Sequence, residues 1–226
     1  MQHALVTGSS SGIGHAIATA LLDAGWQVTG LDRADATIAH AAYVHRAVDL
    51  TDSAASRTTA QACATVDAFV HAAGVLRVGK VGELDHAGGE LMWKLHVDAA
   101  ARVADVLIPA MAARGNGRVV LIGSRVAAGK AGRGQYAATK AALIALAKSW
   151  AAEVAAQGPA RKRQVLHIKR PVEPQPRPQL RDILRRRTLA QHRARLGGPR
   201  QDHPARRHAP PSPCGEAMGP NSVGLR

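Results

Sequence analysis

Eight residues near the start of the chain, Thr7-Gly8-Ser9-Ser10-Ser11-Gly12-Ile13-Gly14, restrict its fold more than any other stretch. They follow a short apolar run, Ala4-Leu5-Val6. They lead into a segment whose apolar residues Ile13, Ile17, Leu21 and Leu22 share one helical face, with Gly25 as its stop. A buried strand, a glycine turn and a helix in that order begin a βαβ unit. Glycine permits the tight turn and lets backbone N–H groups approach a phosphate, which the positive end of the helix dipole also attracts. An ordinary strand–helix turn with no ligand is the plainer alternative, and the rest of the chain has to decide between them.

The alternation continues to about residue 158. Residues 27–31 make a second strand ending on Asp32, residues 43–47 a third, residues 52–64 a helix, and residues 67–70 a fourth strand running into His71-Ala72-Ala73-Gly74. A long helix is expected over about 89–113, stopped by Gly115-Asn116-Gly117. Residues 118–122 form a fifth strand with Ser124 at its C-terminal end, and 135–156 a further helix closed by Gly158. This pattern predicts an α/β fold, a doubly wound parallel sheet covered on both faces. Ligands on such sheets bind outside the carboxyl ends of the strands, where Gly8, Asp32, Gly74 and Ser124 all fall.

Asp32 lies about 20 residues past the glycine loop, where a carboxylate can accept hydrogen bonds from the ribose hydroxyls of an adenine dinucleotide. The same charge repels a 2′-phosphate, so NAD is favoured over NADP. Arg33 next door can pair with that phosphate and keeps NADP open. A solvated strand-end acid is the bland reading of Asp32.

Twelve residues separate Ser124 from Tyr136, and Lys140 follows one helical turn later on the same face. A hydroxyl, a phenol and an ammonium can form one proton-transfer site. Thr7-Gly8-x3-Gly12-Ile13-Gly14, Ser124 and Tyr136-x3-Lys140 together resemble the short-chain dehydrogenase/reductase family over roughly residues 3–158. Asp49-Leu50 resembles the family's adenine-contacting pair. His71-Ala72-Ala73-Gly74 resembles its Asn-Asn-Ala-Gly turn, with His and Ala replacing both asparagines.

The resemblance implies a Rossmann-type NAD(P)-binding domain and hydride transfer to or from a small alcohol or ketone. Gly8, Ser10, Ser11, Gly12, Ile13, Gly14, Asp32, Arg33, Asp49, Leu50, Ala72, Ala73, Gly74, Tyr136 and Lys140 would hold the cofactor. Tyr136 would be the general acid/base. A free phenol titrates near ~10, and the Lys140 cation would favour its phenolate. Ser124 would hydrogen-bond the substrate oxygen, and Lys140 would also reach the nicotinamide ribose. The family's usual relay asparagine falls at His96, which reads either as a substitute proton carrier or as a core histidine with no catalytic role. The resemblance also implies a homo-oligomer built on the two long helices.

Beyond residue 158 the composition changes. Residues 159–226 hold 16 of the 30 Lys/Arg, 4 of the 16 Asp/Glu and 11 of the 12 prolines, whereas all six aromatics lie at or before Trp150. Residues 164–168 could form a strand, but the family's Pro-Gly turn and its sixth and seventh strands are not readable, and the proline run 171–178 suits neither helix nor central strand. A reading-frame change near residue 160 is the favoured explanation. The others are a basic nucleic-acid-binding tail, which makes a catalytically dead dinucleotide-binding domain the rival function, and an extension without activity. Losing the sixth and seventh strands would leave one sheet edge unpaired and predicts weak or absent turnover. Two cysteines, Cys63 and Cys214, form no bridge framework, no residues show metal-ligand spacing, and no apolar run approaches the roughly 18 residues of a membrane span. A cytoplasmic enzyme without metal or membrane partner is therefore expected.

Overall fold

Six parallel strands form one sheet among the residues described by this computed structural model, 1–155 and 165–169. They are β1 (His3–Thr7), β2 (Gln27–Asp32), β3 (Tyr43–Ala47), β4 (Ala68–His71), β5 (Arg118–Ile122) and β6 (Val165–Lys169), in the order β3-β2-β1-β4-β5-β6. The order reverses between β1 and β4, and that divergence opens a crevice at the strand ends.

Period-2 alternation sorts the strand side chains onto two cores. Leu5, Leu31, Phe69, Val119 and Leu121 pack with Val103, Leu107 and Leu143 of helices α4 (Ala99–Ala113) and α5 (Gly134–Ala155). Val6, Val28, Val70 and Ile122 pack on the other face with Ala18 and Leu22 of α1 (Gly12–Asp23). Burial on both faces is why the strands read as continuous apolar runs. Helix α2 (Ser53–Ala62) starts where Asp52 accepts the N–H groups of Ala54 and Ala55 at 2.9 Å each.

Two expectations need correction. The helix foreseen over 89–113 begins earlier, at His86, where Asp85 caps α3 (His86–Trp93) through the Gly88 N–H. It is also interrupted by a π-helical turn, Lys94–Asp98, before α4 resumes. The second concerns residues 164–168, only a possible strand by sequence, where the family's sixth and seventh strands are not readable. Residues Val165–Lys169 pair in parallel with β5 from Arg118↔Val165 to Ile122↔Lys169. The Pro/Arg-rich run and the boundary expected at residue 158 lie outside the described residues. No helix among those described is long and apolar enough to cross a membrane.

Candidate active site

The glycine loop closes around its own backbone. Gly8 takes a positive φ of 70° and donates its N–H to the Leu31 carbonyl at 2.8 Å. A Cβ on Gly14 would run into the Gly8 carbonyl oxygen, so only glycine lets the first turn of α1 lie this close to the strand end. Ser11, the residue before α1, makes no side-chain cap, and no acid occupies the first turn. The N–H groups of that turn therefore face the crevice without a side-chain partner.

That crevice is a cavity of about 560 Å³. Gly8, Ser11, Gly12, Ile13 and Gly14 form its floor, while Asp32, Arg33, Asp49 and Leu50 wall one end. Ala72, Ala73, Gly74 and Val75 wall the other, with Leu91 and Leu95 beside them. Asp32 also stiffens the wall. Its Oδ2 accepts the Ser10 N–H and its Oδ1 the Ala34 N–H, both at 3.0 Å, leaving each oxygen a further lone pair for a ligand. Ser10 does not line the cavity. Its N–H is taken by Asp32 and its hydroxyl by the Ala34 carbonyl.

Thr7 joins the two walls. Its Oγ1 accepts the N–H groups of Ala72 and Ala73 at 3.1 Å each and lies 3.0 Å from His71 Nδ1. A hydroxyl has two lone pairs and one proton. With both lone pairs filled by backbone donors, the proton goes to His71 Nδ1, which makes Nε2 the protonated nitrogen of that ring. Among the described residues His71 Nε2 is buried without a hydrogen-bond partner. Burial and the Lys140 charge push the His71 imidazole down to about 3, opposed by the nearby Leu95 and His96 carbonyls.

His96 sits on the π turn, fully buried. Its Nε2 accepts the Val75 N–H at 3.0 Å, so its proton is on Nδ1, 2.8 Å from Thr139 Oγ1. The Thr139 hydroxyl in turn donates to the Tyr136 carbonyl at 2.9 Å. The imidazole also meets the Tyr136 ring edge to face, with centroids 5.7 Å apart. Both ring nitrogens are thus engaged within the protein, and burial, with Lys140 and His71 nearby, lowers this ring to about 3 as well. Gly74 makes the fit possible, since a Cβ there would stand 2.9 Å from His96 Nε2.

Lys140 is buried on α5 and donates from Nζ to the Ile122 carbonyl at 2.9 Å. Burial lowers its pKa to about 8. Its Nζ lies 5.8 Å from the centre of the Tyr136 ring. Ser124 follows β5 and accepts the Val126 N–H at 3.2 Å, opening a 3-10 turn, Arg125–Ala128, that packs on α5. Lys140, Tyr136 and His96 are thus brought together, with Ser124 at the adjoining strand end, whereas none of the four lines the cavity. Sequence reasoning missed Thr7 as the link between the walls, Thr139 as the partner of His96, and Val75, Arg77, Leu91 and Leu95 as lining. For Thr139 a signal existed: a hydroxyl beside Lys140 in an otherwise Ala-rich helix.

Comparison with known proteins gives the same frame. The short chain dehydrogenase family model matches residues 2–161. The chain is 32% identical over 161 residues to 2,3-dihydro-2,3-dihydroxybenzoate dehydrogenase of Escherichia coli, covering 68% of this chain and 63% of that protein. It is 31% identical over 166 residues to 3-oxoacyl-[acyl-carrier-protein] reductase FabG of Vibrio harveyi, covering 69% and 68%. A Beutenbergia cavernae protein solved with NADP at low occupancy matches at a TM-score of 0.64 and 27% identity, over 75% of this chain and 70% of that one. The chain spans under two thirds of the length of the E. coli dehydrogenase. With the family model matched from the glycine loop through α5, the chain belongs to the short-chain dehydrogenase/reductase family.

Proposed function

We propose that this chain binds NAD, with NADP as the second choice, and exchanges hydride between it and a small alcohol or ketone. One observation carries the reading: a glycine-floored cavity at the reversal of strand order, with a carboxylate at one end and the Tyr136, Lys140 and His96 cluster beyond the other. The residues fit a dinucleotide. The uncapped N–H groups of α1 suit a pyrophosphate, Asp32 keeps free lone pairs for ribose hydroxyls, and Asp49-Leu50 suits the adenine. Arg33 on the same wall is what keeps NADP as an alternative. When bound, the nicotinamide supplies or accepts the hydride.

The chain's own residues handle the proton. Tyr136 gives its hydroxyl proton to a carbonyl oxygen during reduction, or takes the alcohol proton during oxidation. Ser124 orients that oxygen. Lys140 has three N–H donors, one of which holds the Ile122 carbonyl, leaving the others for the ribose and the tyrosine oxygen. His96 acts as a neutral strut under the Tyr136 ring rather than as a proton carrier, since neither of its nitrogens is left to relay.

A second reading is dinucleotide binding without turnover, since His71 and Ala72 stand where the family has two asparagines. Calorimetric titration with NAD, followed by absorbance assays over a panel of alcohols and ketones, separates the two. Saturable NAD binding with turnover that disappears in Tyr136→Phe supports the oxidoreductase. Binding without turnover on any member leaves the catalytically dead dinucleotide-binding domain, and no binding of either dinucleotide overturns both.

A further inference from the structure

Arg102 projects from α4 toward the far end of the cavity, away from the proton-transfer cluster. Its Nη2 donates to the Leu50 carbonyl at 2.9 Å and its Nε to Ser56 Oγ at 3.2 Å. Leu50 and Asp49 line the cavity, and Ser56 lies fully buried at the start of α2. Asp49 bends back on its own chain: its Oδ1 accepts both the N–H and the hydroxyl of Thr51 at 2.8 Å. The Leu50 carbonyl and the Thr51 N–H belong to one planar peptide group. The Arg102 guanidinium therefore grips one end of that plane and the Asp49 carboxylate holds the other.

We infer that Arg102 is a positioning residue for the adenine half of the cofactor: by fixing the Leu50–Thr51 peptide it fixes the direction of the Asp49 carboxylate, whose second oxygen then faces the ligand. The fork is needed because two acceptors on different elements, Leu50 in the loop and Ser56 on the helix, must be held at once. A lysine ammonium at this site reaches one of them. The inference rests on the dinucleotide reading, and it adds a link from the adenine wall to the helix that follows His96.

The test compares wild type with Arg102→Met, which keeps the apolar stem, and Arg102→Lys. Affinities for NAD, AMP and nicotinamide mononucleotide are measured by calorimetry on the full chain. In Arg102→Met, affinity for NAD and AMP should fall by about tenfold, the size of one lost charge-assisted hydrogen bond, with nicotinamide mononucleotide binding unchanged. Arg102→Lys should recover part of the loss, and it decides the matter if the methionine variant does not fold. Unchanged AMP affinity in both variants overturns the inference, as does an equal loss for AMP and nicotinamide mononucleotide, which signals general loosening. Wild type that binds neither NAD nor AMP overturns the dinucleotide reading itself and the inference with it.

Discussion

Acid should unfold this domain through two histidines. His71 and His96 are buried neutral, each held near 3, against an ordinary value of 6.5. Below 6.5 the unfolded chain takes up protons at these sites and the folded chain does not, so stability falls as pH drops through the window from 6.5 toward 3. At pH 4.5 each histidine costs about 2–3 kcal/mol relative to neutral pH, and the pair about 5 kcal/mol. A whole domain has roughly 5–15 kcal/mol to lose. The perturbation is the double variant His71→Asn/His96→Asn, which keeps hydrogen-bonding groups at both sites and removes both titrations. Urea unfolding at pH 7 and pH 4.5 can be followed through Trp26, Trp93 and Trp150. The variant starts less stable at pH 7 because smaller side chains leave space, but that loss is common to both pH values. Its decline from pH 7 to 4.5 should be smaller than that of wild type by about 5 kcal/mol. Equal declines in the two proteins, within about 1 kcal/mol, would refute the claim that buried neutral imidazoles set the acid limit.

Lys140 predicts the alkaline side. Its cation is present below about 8 and lost above, so NAD affinity should hold from pH 6 to 7.5 and decline beyond 8, while Lys140→Met should show a flat, weaker profile by calorimetry. Asp32→Ala should lower NAD affinity and raise NADP affinity, narrowing the ratio by about tenfold or more as the carboxylate proposed to bind the ribose is removed with its charge. Gly14→Ala should abolish dinucleotide binding, because the added Cβ meets the Gly8 carbonyl oxygen; near-native circular dichroism would show that the loss is local.

Strands buried on both faces and helices with one apolar stripe announce themselves, and β3 at Tyr43–Ala47 was readable to the residue. So was the helix start at Asp52, because a capping carboxylate before an Ala-rich run has a plain local cause. The interruption at Lys94–Asp98 was not, since a π turn carries no composition signal and leaves the apolar pattern nearly intact. Residues 164–168 read only as a possible strand because the family's Pro-Gly turn does not follow them, and the pairing of Val165–Lys169 with β5 is a long-range contact that no local pattern announces. Tautomers were beyond reach as well. The neutral, opposite tautomers of His71 and His96 follow from which lone pairs Thr7, Val75 and Thr139 fill, and those partners meet only in the folded chain.

The π turn also acts as a phase adjuster. An α-helix advances about 100° per residue, so a single extra residue rotates everything after it by that angle about the helix axis. His96 lies within the turn and points to Val75 and Thr139; Arg102 lies after it and points to Leu50 and Ser56. Without the inserted residue, a straight helix could aim one of these side chains correctly but not both. The Val75 and Leu50 ends of the cavity are therefore indexed to each other through one irregular turn, and shortening that turn by a residue would rotate Arg102 away from Leu50 and Ser56.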